Sequence, residues 1–307
     1  MTFIFILALL CSFCYADKFT RHRFPTQLSY NDTVSNSIDQ IDLQRMYLFV
    51  ASITSCHNRY YISDSGSVAV SKLIDLLNPL ISANNFLSIE TVEHPWKQKS
   101  VIVKWNTPQK ETVVLGSHID SSSHFFPSRS FSPGADDNAS GMAALFEVLN
   151  VLLQVQFKPN RNIEFHFYSA EESGLKGSQQ IFQHYSRTHK NIISMVQFDT
   201  IGIPNPHLAP HMAVVTDNAS PPLVQFLRMI AQRHSTLPLS PTKCRYACSD
   251  HASANKFKFP SALITESKLL GRNWFVHSTA DTIDHLDFNH IAEAVKIALG
   301  YTIELAT

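Results

Sequence analysis

The residues of this chain that could do chemistry are carboxylates and histidines, set in short polar segments between apolar runs. Asp136 and Asp137 stand together in the Gly/Pro-broken stretch Pro133–Gly141, directly before the apolar, helix-favouring run Met142–Leu149. His118 and Asp120 close the segment Gly116–Asp120. Glu171 and Glu172 are adjacent, Asp199 follows an apolar run, and His277 opens His277–Thr282. Taken singly, each has a structural explanation. Asp, Asn and Ser cap helices, a lone histidine is more often a satisfied core residue, and Glu in a first helical turn meets the helix dipole. Taken together they suit a pair of zinc-like ions. Imidazole favours zinc, and one carboxylate can bridge two cations that would otherwise repel. Two such ions roughly 3.5 Å apart clamp the attacking and leaving oxygens of a hydrolysis. Asp120, two residues beyond His118 on the same side of an extended chain, is placed to anchor the second ring nitrogen.

The elements that must position these groups are legible from hydrophobic periodicity. Helices are predicted over Ile38–Ser52, Val68–Leu77 (stopped by Pro79), Ser140–Gln154, Gly174–His184, Pro221–Arg233 and Phe288–Glu304. Strands are predicted over Val101–Trp105, Thr112–Leu115, Asn162–Tyr168, Ile192–Phe198, Met212–Thr216 and Ala262–Ile264. This alternation predicts an α/β fold, a three-layer α/β/α sandwich around a central mixed, mainly parallel sheet. His118, Glu171-Glu172 and Asp199 each follow a predicted strand, and Asp137 begins a helix. The carboxyl ends of strands form the ligand crevice of open α/β sheets. With no repeat, linker or low-complexity stretch, residues 37–307 read as a single domain behind a lead-in at 17–36.

The chain has 307 residues, 44% of them hydrophobic, and a formal net charge of +0. Without a basic run it is a poor partner for nucleic acid or an anionic membrane. Residues 1–16 carry an uncharged apolar run ending at Ala16, too short to span a bilayer and suited to a cleaved secretory signal peptide. No later segment is apolar enough to cross a membrane, so the chain is read as secreted and extracellular. Beyond the signal remain Cys56, Cys244 and Cys248. In an oxidising compartment Cys244 and Cys248 could close a small ring, leaving Cys56 as a buried thiol. Asn31 and Asn218 begin glycan-acceptor triplets; Asn138 does too, but inside the acidic loop.

The motifs resemble the secreted leucyl aminopeptidase branch of the di-zinc exopeptidases. The resemblance rests on Gly116–Ser121, Pro133–Gly141, Ala170–Ser178, Gln197–Asp199, Cys244–Ser253 and His277–Thr282, with Asn58–Tyr61 earlier, and it covers roughly residues 40–304. It implies two zinc ions per chain. Asp137 would bridge them, His118 and Asp199 completing one ligand set and Glu172 and His277 the other. Glu171 would be the general base toward a metal-bound hydroxide, Asp120 would orient His118, and the peptide after Asp137 would be cis. The resemblance also implies a Cys244–Cys248 disulfide beside a substrate pocket at Thr200, Val215, Tyr246, Leu263, Thr265, Leu269 and Val276. Most of these are apolar, which favours a leucine-like first residue. Thr200 and Thr265 replace larger apolar residues and widen that tolerance. The implied partners are peptide substrates, met by a monomer, and the short lead-in implies secretion without a long inhibitory propeptide. Alternatives on the same fold are a carboxypeptidase, which needs an arginine cluster (Arg245 and Arg272 keep this open), a one-zinc glutaminyl cyclase, and a catalytically silent binding module lacking ligands.

Overall fold

The computed structural model describes residues 24–268 and 273–307. The signal peptide read at 1–16, the start of the lead-in, Leu269 and Arg272 lie outside them. Among the described residues, the strands β1 (Leu87–Val92), β2 (Ser100–Trp105), β3 (Thr112–His118), β4 (Asn162–Tyr168), β5 (Ile192–Phe198), β6 (Met212–Val215), β7 (Leu239–Thr242) and β8 (Ser261–Thr265) build one sheet in the order β1-β2-β4-β3-β5-β8-β6-β7. The middle, β4-β3-β5-β8, is parallel; β1, β2 and the β6–β8 pairing are antiparallel, and β7 runs parallel to β6. The sheet is therefore mixed with a parallel centre, as the alternation of elements predicts.

Helices cover both faces. The alternation of β3 sorts its side chains: Val113 and Leu115 face the larger apolar core, Val114 the smaller one. Helices α1 (Asn31–Ile38), α2 (Leu43–Thr54), α3 (Asp64–Ala83), α4 (Gly141–Gln154), α6 (Pro221–His234) and α8 (Phe288–Ala306) pack on the first face. Helices α5 (Lys176–Arg187) and α7 (His251–Lys256) pack on the second. That second face also buries a polar group: Glu164 accepts hydrogen bonds from His166 (2.9 Å) and the Tyr185 hydroxyl (2.9 Å) and pairs with Lys190.

Several local expectations are revised. Pro79 does not end its helix; α3 runs on to Ala83. The lead-in is not irregular throughout. α1 begins within it at Asn31 and runs past its end to Ile38, and the buried Glu304 carboxylate accepts hydrogen bonds from the Ser29 and Tyr30 amides (2.9 and 2.8 Å). Phe24 stacks on Phe226. No helix of the described residues is long and apolar enough to cross a membrane. Cys244 and Cys248 form a disulfide, and Cys56 is buried and free. Asn31 starts α1, Asn138 is fully buried, and exposed Asn218 donates its side-chain amide to the Tyr246 carbonyl (3.1 Å).

One fully buried side chain ties the loops at the strand ends together. The Arg59 guanidinium donates to the main-chain carbonyls of Ile119 (2.8 Å), Pro133 and Gly134 (2.9 Å). Its own amide donates to Ser121 Oγ (3.0 Å), and its carbonyl accepts from Gln98 (2.7 Å). Two chemistry-bearing loops thus share one donor. Gly134, at φ +58°, has the left-handed backbone that glycine adopts without cost, and a Cβ there would come within 2.9 Å of Arg59. Replacing Arg59 with Met keeps much of the volume but leaves buried carbonyls without donors. Arg59→Met is expected to lower stability by about 3 kcal/mol, read as the shift of the urea midpoint at unchanged m-value. A loss below about 1 kcal/mol would contradict this role.

Candidate metal centre

Three strand ends and two loops meet at one edge of the sheet. His118 is the last residue of β3, Glu171 and Glu172 follow β4, and Asp199 follows β5. Asp137 sits in the tight turn Ala135–Ser140 that opens α4, and its peptide bond to Asn138 is cis. Gly141 lets this turn approach β5: a Cβ there would stand 2.3 Å from the Phe198 carbonyl oxygen. His277 comes from the segment before α8. Ala170, Thr200 and His277 all have left-handed φ (57°, 47° and 58°), uncommon outside glycine, beside the groups they aim.

The carboxylate of Asp137 lies between the two histidines. Its Oδ1 is 3.0 Å from His118 Nε2 and its Oδ2 is 3.1 Å from His277 Nε2. His118 Nε2 also lies 3.5 Å from Asp199 Oδ1, and His277 Nε2 lies 2.7 Å from Glu172 Oε2. Two groups of potential ligand atoms result, His118 with Glu171 and Asp199, and Asp137 with Glu172 and His277, each within 4.8 Å. Glu171 therefore stands on the His118 side.

Further polar residues hold this arrangement. His118 Nδ1 meets the main-chain carbonyl of Asp120 at 3.0 Å, whereas the Asp120 carboxylate is 3.6 Å away, beyond hydrogen-bond range. That carboxylate instead accepts from the amides of Glu171 (3.0 Å) and Glu172 (3.2 Å). Asp281 does the same for the other loop, accepting from the amides of Asp136 (2.7 Å) and Asp137 (3.0 Å). Asp136 points away from the histidines and accepts from the Gly202 amide and Asn273 Nδ2 (both 2.7 Å). Ser249 donates to Asp199 Oδ2 (2.5 Å). The sequence reading did not single out Asp281 or Ser249, although both lie in stretches it marked; a carboxylate that binds main-chain amides has no spacing signature.

The site opens into a cavity of about 1020 Å³. Thr200, Tyr246, Leu263, Thr265 and Val276 line it, as do both disulfide cysteines. Val215 does not; it is fully buried within the sheet, while the next residue, Thr216, reaches the cavity with Thr242. Leu269 is outside the described residues. Thr200 and Thr265 place their hydroxyls 3.0 Å apart.

The sequence profile of Peptidase family M28 matches residues 100–302. Leucine aminopeptidase 1 of Blastomyces gilchristii is 38% identical over 293 residues, covering 92% of this chain and 76% of the relative. The chain also superimposes on the LapA aminopeptidase of Legionella pneumophila, with TM-score 0.86 and 28% identity over 91% of this chain and 76% of that one. A glutaminyl cyclase of Bacteroides thetaiotaomicron, at 18% identity and TM-score 0.72 over 86% of this chain and 98% of that one, shares the fold alone. The chain belongs to peptidase family M28. It is a zinc exopeptidase, an aminopeptidase that acts on peptides.

The electrostatics of the edge fit zinc. Burial drives the Glu171 carboxyl well above its ordinary value; Asp199, Asp250 and Glu172 push the same way, against His118. Burial also raises Glu172 and Asp250 to about 7 and Asp281 to about 8. Asp137 goes the other way: burial would raise it, but hydrogen bonds with His118 and His277 hold it well below the carboxylate range. His277 is pushed up to about 11, since its contacts with Asp137 and Glu172 outweigh the effect of burial. Glu172 Oε1 is buried without a hydrogen-bond partner. The side chains alone carry too little positive charge to balance these carboxylates. Imidazole and carboxylate donors are those zinc takes.

The raised groups bind protons more tightly in the folded chain than in the unfolded one. From the ordinary values of 3.8 (Asp), 4.5 (Glu) and 6.5 (His) up to the folded values, folding takes up protons. Stability of the zinc-free chain therefore falls as pH rises through that window. Cations that replace those protons cancel the loss. The Tm of chelator-treated protein is expected to drop between about pH 5 and pH 8.5. Added zinc should raise Tm more at the alkaline end, where ligands are also easier to deprotonate. A larger zinc effect at the acid end would contradict this charge balance.

Proposed function

We propose that the chain is a secreted, monomeric di-zinc aminopeptidase that removes apolar, leucine-like residues from peptide N-termini. In this reading residues 1–16 are a signal peptide and 37–307 one catalytic domain. The observation that carries it is the position of Asp137, with one carboxylate oxygen toward each histidine and a further carboxylate beside each. His118 and Asp199 would hold one zinc, Glu172 and His277 the other, and Asp137 both. When bound, such ions supply Lewis acidity and lower the pKa of a water toward neutrality.

The protein's own groups do the rest. Glu171 takes the proton of the attacking water and returns it to the leaving amine, as a positioned general base and acid. Its main-chain amide is fixed by Asp120, and its burial favours the protonated form that must deliver the proton. Asp120 thus contacts both, His118 through its main-chain carbonyl and the Glu171 amide through its carboxylate. The carboxylates facing the cavity suit the α-ammonium of a peptide, which selects exopeptidase action. Leu263, Val276, Tyr246 and the disulfide give the first side chain an apolar wall. Such a wall discriminates by only about 1–3 kcal/mol per methylene, so neighbouring apolar residues should also be accepted.

Two measurements test this reading. Turnover of leucyl 4-nitroanilide should vanish with a chelator and return with zinc, at two zinc ions per chain by metal analysis. Glu171→Ala should lower kcat about 10²- to 10⁴-fold while zinc content is retained. Near-normal turnover in that variant would remove Glu171 from the chemistry. A single zinc at full activity would remove the bridging role of Asp137.

A further inference from the structure

The cavity has a second electrostatic character besides its carboxylates. Lys243, Arg245 and Lys268 also line it. All three are exposed, and none forms an ion pair or side-chain hydrogen bond among the described residues. The acids nearby in sequence are held by main-chain amides rather than by these side chains. Asp217, joined to this loop, accepts from the Cys244 amide (3.0 Å) and the Arg245 amide (2.5 Å) with its two oxygens. Glu266, which lines the cavity beside Thr265, accepts from the Ile203 amide (2.6 Å). The three cationic side chains thus form no ion pair with either acid.

Thr200, Thr216 and Thr265 add hydroxyls to the lining of the same cavity. Thr200 Oγ1 donates to the Asp199 carbonyl (2.8 Å), and Thr265 Oγ1 donates to the Thr200 carbonyl (3.0 Å). Thr216 Oγ1 donates to the Thr242 carbonyl (3.0 Å). Their protons are used on the main chain, which leaves oxygen acceptors rather than hydrocarbon alone in the lining. The volume of about 1020 Å³ is at the upper end for a site that encloses a drug-sized molecule, far more than one leucine-like side chain requires. A cavity lined both by the acidic cluster and by cationic side chains without ion pairs matches a ligand that carries a cationic and an anionic group.

We propose that Lys243, Arg245 and Lys268 form a carboxylate-binding subsite of the substrate cavity, engaging a peptide carboxylate while its α-ammonium and first peptide bond occupy the metal centre. This rests on the aminopeptidase reading above and adds a substrate class to it. The carboxylate has two possible sources, the C-terminus of a short peptide or an acidic first side chain. Lysines attract it as point charges, and the arginine can bind it through two parallel hydrogen bonds. Because the cations are exposed, the attraction is screened by salt.

Two matched pairs distinguish the sources: Leu-Gly-Gly against Leu-Gly-Gly amide, and glutamyl against glutaminyl 4-nitroanilide. At low ionic strength the member carrying the carboxylate in at least one pair should show a KM lower by about three- to tenfold, a size set by exposed ion pairs acting together. The advantage should shrink with added salt. The triple variant Lys243→Gln, Arg245→Gln, Lys268→Gln should abolish it, with kcat and KM for leucyl 4-nitroanilide unchanged and a wild-type circular dichroism spectrum. An advantage in the first pair assigns the C-terminus; one in the second assigns the side chain. Equal KM values in both pairs, or an advantage that survives the triple variant, overturns the subsite. Failure of the zinc-loaded protein to cleave leucyl 4-nitroanilide would instead overturn the aminopeptidase reading.

Discussion

Concentrating carboxylates at one buried edge is costly unless something positive or hydrogen-bonding meets each of them, and this constraint shapes the structure around the site. Asp137 meets two histidines, Asp120 and Asp281 each meet a pair of main-chain amides, and Asp136 meets an amide and Asn273. Glu171 and Glu172 are met less fully: Glu172 keeps one oxygen on His277 and leaves the other without a partner, and burial raises both carboxyls. The residues that remain electrostatically unsatisfied are those beside the histidines. The outer acids are satisfied by backbone and act as scaffolding for the inner ones.

That division explains why the edge can be rigid. A strand end fixes only the direction in which a side chain leaves the sheet. The loop after it must also be held, and the chain does this with side chains that bind main chain rather than each other. Arg59 donates to carbonyls of the loops after β3 and before α4; Asp120 and Asp281 accept amides from the loops after β4 and before α4. Each contact joins segments far apart in sequence: 60 residues between Arg59 and Ile119, 145 between Asp136 and Asp281. Such links order a site in the folded chain without adding to local helix or strand propensity.

The sequence made the sheet and the inner acids legible for one reason: apolar runs end where polar groups begin. His118, Glu171, Glu172 and Asp199 fall at strand ends in the structure as their neighbours imply. The sequence was less informative where the controlling interaction is long-range. Pro79 looks like a stop, yet α3 continues to Ala83. β1 and the short β7 and α7 carry too few apolar positions to stand out from loops, and they form because neighbours pair or pack with them. Val215 illustrates a one-residue limit. Alternation along β6 decides whether a side chain enters the cavity or the core, and here it is Thr216 that lines the cavity. Asp120 was legible as a partner of His118, but not that its main-chain carbonyl would make the contact while its carboxylate served the glutamates.

The two walls of the cavity differ in how they are built, and the difference bears on what each can do. The acidic wall comes from ends of adjacent parallel strands whose spacing is set by the sheet. The rest of the lining comes from the loop closed by Cys244 and Cys248, from the residues after β8, and from the segment leading to His277. Side chains on that wall answer to exposed loops, where exchange of one residue for another disturbs little packing. Geometry that must be kept within fractions of an ångström is therefore carried by strand ends and their main-chain clamps. The remaining charge and shape of the cavity are carried by loops. His277 belongs to both, since it reaches Asp137 and Glu172 from the loop side while a third of its side chain remains exposed. The candidate metal site and the loop wall thus meet at one residue, and the position of that loop couples the two.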